Sequence, residues 1–217
     1  MNKDSTMKRF LKYIKSTRGQ SLAEFAVTTA MMATLATTAA PKFSGVGEGA
    51  KEKKTLADID KIMKSANNFY NAKVTTDGRG RFPGQSKYNE TVPDNDGGYE
   101  TEDLLLTGLD NFTTFESAEA AKWASIFGEN NTEAPAPSES NINDSENPVD
   151  GDGFTLYNGS EEFLNEFGGN AIKSPFQDGH YIYTVIAGSG SGTSSVSPIL
   201  YIADLESPKN FNKKLQP

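Results

Sequence analysis

The sequence predicts an α+β protein: a long N-terminal α-helix, apolar in its first half and amphipathic in its second, packed on a small C-terminal antiparallel β-sheet. Three observations carry this reading. Residues 20 to 40, QSLAEFAVTTAMMATLATTAA, hold a single charge, Glu24. Leu56, Ile59, Ile62, Met63, Ala66, Phe69 and Tyr70 recur at three- and four-residue spacing with Lys or Asp between them, which is the period of one helix face. The last third holds short β-prone runs separated by Gly- and Ser-rich turns.

Composition narrows the function classes before any motif is read. At 217 residues the chain has room for one domain plus appendages, and a hydrophobic share of 35% implies that part of it is loop. With no Cys and one His, a disulfide framework, a thiolate metal site, a cysteine nucleophile and a multi-histidine metal site are all excluded within the chain. A net charge of -8 opposes binding to nucleic acid through the general field, which would have to be positive. No nucleic-acid partner is expected.

The charge is uneven along the chain. Residues 1 to 19, MNKDSTMKRFLKYIKSTRG, hold six bases against one acid. A basic flank followed by about twenty nearly uncharged residues is the pattern of a membrane-inserting export segment whose start stays in the cytoplasm. Three residues separate it from an ordinary removable signal. Glu24 lies inside the apolar run, where a carboxylate costs up to roughly 2.5–3.5 kcal/mol at the centre. Pro41 follows Ala39-Ala40 and is a poor start for a mature chain. Gly19 closes the basic stretch where the apolar one opens.

Arg18-Gly19-Gln20-Ser21-Leu22-Ala23-Glu24-Phe25, with Pro41 beyond it, resembles the N-terminal cleavage and methylation motif of the type IV pilin and type II secretion pseudopilin family. The resemblance implies a leader over 1–19 cut between Gly19 and Gln20 by a prepilin peptidase. It further implies an apolar membrane and assembly helix over 20–42, an amphipathic helix over 43–72, and a globular head over 73–217. Glu24, Phe25 and Pro41 would be assembly residues. The implied partners are membrane lipid before assembly, the assembly platform and ATPase machinery of the inner membrane, and copies of itself or related pilins in a filament. The implied location is the bacterial inner membrane, then a periplasmic or extracellular filament.

Two features depart from the family's usual pattern. Most members begin the mature chain with Phe or Met, whereas Gln20 looks more like the Gly-Gln start of Tad-type pilins, and the subfamily stays open. The apolar run also contains five threonines and only six large apolar side chains, so it is a marginal span suited to transient residence before extraction. Glu24 fits assembly on physical grounds. A carboxylate among apolar helices needs a cationic partner, and the resemblance suggests the new amino group of Gln20 on a neighbouring subunit.

Beyond Pro41, Gly45, Gly47 and Gly49 are expected to break or soften the helix, and the amphipathic stripe begins near Ala50. Residues 73 to 110 are rich in Gly and Pro and read as a long connection, with a short helix starting near Asp103-Leu104-Leu105-Leu106. Thr114 to Phe127 reads as a helix stopped by Gly128, with Trp123 as a core or docking residue. Residues 129 to 153, acidic and rich in Pro, Asn and Ser, read as a loop. Strands are predicted over Gly153–Tyr157, His180–Ala187 and Ser197–Ala203, the last two forming a hairpin with a flexible tip at Gly188–Ser195.

Chemical motifs are few. Asp94-Asn95-Asp96-Gly97 and Asp150-Gly151-Asp152-Gly153 place carboxylates two apart beside glycine, a geometry suited to Ca²⁺, although neither completes the EF-hand spacing. Asp94, Asp96, Asp150 and Asp152 are therefore candidate Ca²⁺ ligands or simple acidic turns; no other cofactor is expected. Gly188-Ser189-Gly190-Ser191-Gly192 contains Gly-x-Ser-x-Gly, but it lies between two strands rather than between a strand and a helix. His180 reads as a surface or turn residue. With no enzyme motif in the chain, the resemblance implies a structural filament subunit and not an enzyme, the alternative being a secreted or tethered binding module such as an adhesin. Loss of the leader, with its net +5, would take the chain from -8 to -13.

Overall fold

A computed structural model describes residues 47–93, 97–113, 118–128, 159–176 and 179–217. Helix α1 runs over 47–77. Its buried stripe is Thr55, Asp58, Ile59, Ile62, Ala66 and Phe69, with Met63 and Tyr70 at the margin. These residues lie on the face that the three- and four-residue spacing predicts, though Leu56 is exposed. Gly47 and Gly49 are helical, contrary to the expected softening there. The helix passes Ala72 and ends where Gly78, at φ 74, reverses the backbone.

Lys51–Pro217 forms one compact unit. Its sheet has four antiparallel strands in the order β1 (Ala124–Ser125), β2 (Tyr181–Ile186), β3 (Ile199–Asp204) and β4 (Asn212–Leu215). The β2–β3 hairpin pairs Tyr181 with Asp204 through Ile186 with Ile199, as the sequence predicts. Its connection holds a 3-10 turn at Gly192–Ser194 and a bridge between Ser189 and Val196.

The sheet is covered on both faces. Tyr181, Tyr183, Val185, Leu200 and Ile202 pack with Ile59, Ile62 and Ala66 of α1. Ile182, Ile186, Tyr201 and Ala203 face the other way, onto Tyr99, Trp123 and helix α2 (Glu102–Asn111) through Leu105 and Leu109. Double coverage explains why YIYTVI and ILYIA are near-continuous apolar runs instead of alternating ones. Within β2, the buried Thr184 donates its hydroxyl to the Val92 carbonyl at 2.9 Å.

Helix α2 begins near the expected position. Thr101 caps it, its hydroxyl accepting from the Leu104 N–H at 3.4 Å, and Glu102 and Asp103 in the first turn suit the positive end of the helix dipole. Glu102 also binds Lys214 of β4 at 2.6 and 2.8 Å and the Tyr201 hydroxyl of β3. These contacts tie the helix start to the sheet.

The helix predicted over Thr114–Phe127 is corrected within the described residues. Residues 118–119 are turn, Ala120–Lys122 is a single 3-10 turn, and Ala124–Ser125 is strand β1. Trp123 through Phe127 are five consecutive buried residues. An isolated amphipathic helix would turn some of them to water, whereas a strand covered on both faces buries all of them. Ala-rich helix propensity gives way to that packing.

The connection after α1 is more ordered than predicted. Gly80 through Gln85 are all buried, and the Gln85 side chain accepts from the Phe82 N–H at 2.8 Å while donating to the Glu90 carbonyl at 2.6 Å. Val92 then exchanges backbone hydrogen bonds with Val185, extending the β1 edge of the sheet. This loop is closed by helix α3 (Gly159–Glu166), an element absent from the sequence-based expectation. Phe163 of α3 meets the Tyr183 ring edge-on at 5.1 Å. Added Cβ atoms on Gly84 and Gly159 would lie 2.6 and 1.8 Å from the Tyr183 hydroxyl, so this close approach requires glycine on both sides. Strand β4 is likewise not marked in the sequence, because NKKL is short and polar. It is an edge strand, and its lysines protect it from pairing with other chains.

Candidate functional site

Gly19 and Gln20 at the expected cleavage point, and Glu24, Phe25 and Pro41 of the expected assembly segment, lie outside the described residues. So do the candidate Ca²⁺ ligands Asp94, Asp96, Asp150 and Asp152, and the strand expected over Gly153–Tyr157. Among the described residues, no group of three or more His, Cys, Asp or Glu could share a metal ion. Among the same residues, no helix is long and apolar enough to cross a membrane.

The Gly-x-Ser-x-Gly tract is part of the β2–β3 connection, and only one 3-10 turn follows it. His180 precedes β2 while Ser189 and Ser191 follow it. A six-residue strand at ~3.3 Å per residue separates them by roughly 20 Å, so they cannot act as a nucleophile and its base. His180 is buried and lies outside a turn, so it is neither the surface nor the turn residue expected.

Two features of the described head hold organised polar chemistry. The first is a polar seam between α1 and the sheet. Lys54 and Lys61 lie four residues before and three after Asp58, so both reach its carboxylate, at 2.7 and 3.0 Å. The Tyr181 hydroxyl contacts the same carboxylate at 3.4 Å. Burial pushes the Asp58 carboxyl upward, but the hydrogen bonds and charges of Lys54 and Lys61 outweigh it and hold the group below its usual range. On β3, Asp204 forms no ion pair among the described residues. It accepts from the Ser174 hydroxyl and, at 3.1 Å, from the Glu206 N–H. Burial dominates there and pushes the carboxyl up to about 6.

The two carboxylates act on stability in separate pH windows. Asp204, raised from 3.8 to about 6, holds a proton in the folded state that the unfolded chain releases. Its contribution is fully present below 3.8 and is lost as pH rises through about 6, an effect on the order of 3 kcal/mol. Asp58 works the other way, and its contribution is lost only as pH falls below 3.8. Asp204→Asn is therefore expected to flatten the fall in stability between about pH 4 and pH 6. Urea unfolding of both proteins across that range checks it, and parallel curves would contradict it.

The second feature is an open groove of about 380 Å³ between the end of α1, the loop after it and the β2–β3 connection. Tyr70, Val74, Arg79, Tyr88, Ser195 and Val196 are among its walls. The Arg79 guanidinium lies 3.5 Å over the centre of the Tyr88 ring, and Tyr88 is fixed by its hydroxyl bond to the Gly190 carbonyl at 2.5 Å. Stacking leaves the N–H edge of the guanidinium for a planar oxygen pair. No local pattern marks this site, because its parts come from segments more than 100 residues apart; the one local signal is Arg79 between Gly78 and Gly80.

No family model matches the chain, and neither a curated protein nor a solved structure matches it.

Proposed function

We propose that the protein is a structural subunit of a type IV pilus-like or type II secretion pseudopilus filament, cut after Gly19 by a prepilin peptidase and assembled through its N-terminal helix. The observation that carries the reading is the array of basic leader, Gly19, Gln20, Glu24, Phe25 and Pro41 at the head of an almost uncharged run. The α+β head, with α1 packed along an antiparallel sheet, is the architecture that this array led us to expect, and it supports the reading at that level.

In this proposal, the chain catalyses no reaction. The leader holds the start of the chain in the cytoplasm, and the apolar run sits in the inner membrane until the subunit is extracted. Cleavage creates an amino group on Gln20. Glu24 of an adjoining subunit pairs with it, because two opposite charges leaving water together cost far less than either alone. That pairing sets the axial register of each added subunit. Glu24→Ala is expected to leave export and processing intact while filament assembly falls at least about tenfold, since losing one partner of a buried pair costs roughly 3–5 kcal/mol. Sedimentation of sheared filaments with immunoblotting of the membrane fraction measures both, and normal assembly of the variant would contradict the proposal.

A further inference from the structure

We propose that the groove at Arg79 receives the acidic segment 129–153 of a second copy of this chain. The inference rests on the filament reading, in which copies lie side by side, and it adds which surfaces meet.

Among the described residues, Arg79 has no ion-pair or hydrogen-bond partner; its contact is with the ring of Tyr88. Neighbouring cations are already engaged: Arg81 by Glu162 at 2.7 Å, Lys87 by Glu90 at 3.6 Å and Lys73 by Asp77 at 3.9 Å. One planar donor fork is thus left open and pre-oriented, which favours a carboxylate. Val74 and Val196 beside it are exposed and ask for small apolar groups flanking that carboxylate. The volume, about 380 Å³, is at the small end of ligand sites and fits a short extended stretch better than a folded surface.

Segment 129–153, ENNTEAPAPSESNINDSENPVDGDG, has this chemistry: seven carboxylates, no base, and Glu133 followed by Ala134-Pro135-Ala136-Pro137. Proline fixes a backbone dihedral of a free chain, which lowers the entropy lost on docking. Among the described residues that line the groove, Arg79 is the one charged side chain, and it is a base. The two surfaces are therefore opposite in charge.

The test titrates a fluorescent peptide of residues 129–153 into the full-length chain in non-ionic detergent, read by anisotropy. Saturable binding is expected, weaker at about 0.5 M than at about 0.05 M salt. Arg79→Gln should weaken it about tenfold, and Ser195→Glu, an exposed change at the mouth, should weaken it without touching the fold. A peptide with all seven acids replaced by their amides should not bind. Equal binding by Arg79→Gln, equal binding of the neutral peptide, absence of saturation, or displacement by acetate at the peptide's own concentration would each overturn the proposal. Because the unassembled chain is measured, the result is independent of the processing reading. A mature start at or beyond Ala40 with intact binding would sink the filament alone, whereas a start at Gln20 without binding would sink the docking alone.

Discussion

Arg81→Ala is expected to lower the stability of the head by about 3–5 kcal/mol, measured as a shift of the urea unfolding midpoint at constant slope. Arg81 belongs to the loop after α1 and Glu162 to α3, yet their side chains meet in a two-pronged bond at 3.0 and 2.7 Å. The guanidinium is 6% exposed and the carboxylate 15% exposed, so water screens the pair little. Glu162 also accepts the Gly84 N–H at 2.9 Å. Removing the arginine leaves a mostly covered carboxylate with one neutral donor, which is the costly case. Arg81→Met combined with Glu162→Gln should recover much of the loss, because no unpaired charge stays buried. A change below about 1 kcal/mol in the single variant would place the pair among screened surface bridges and contradict the argument.

Trp123→Ala should cost a similar amount, about 3–5 kcal/mol. The indole is fully buried and meets Tyr99 and Phe112 edge-on at 6.2 and 6.5 Å. It also donates its Nε1–H to the Tyr99 hydroxyl at 3.2 Å, and that hydroxyl donates to Glu119 at 2.8 Å. Truncation opens a cavity between the sheet and α2, and removes a donor from a covered oxygen. Trp123→Phe keeps most of the ring contact and loses the hydrogen bond, so it should cost about 1–2 kcal/mol. If the alanine variant unfolded at the wild-type midpoint, the second core face would be far looser than its burial implies.

Helix α1 and the β2–β3 hairpin were legible because each depends on one period. Ile59, Ile62 and Ala66 repeat at helical spacing on one face, and YIYTVI and ILYIA flank a Gly-Ser tract. The second face of the sheet was not legible. Trp123-Ala124-Ser125-Ile126-Phe127 has no alternation, and only the presence of α2 on the far side makes a strand the better burial for it. Helix α3 escaped for a related reason. GSEEFLNE follows an acidic stretch and offers Phe163 as its one fully buried apolar side chain, and its place is fixed by Arg81, distant in sequence. The Arg79 groove likewise joins Tyr70, Tyr88 and Ser195, which no local pattern connects. By contrast, Gly19, Gln20 and Glu24 form a purely local signal, readable from spacing alone.

That local signal is the centre of the functional account, and the first residue of the mature chain tests it most directly. Mass spectrometry of the protein recovered from the cell envelope should find Gln20 at the amino terminus, with the 19 residues of the leader gone. A first residue at or beyond Ala40 would remove Glu24 and the assembly helix together and contradict the filament.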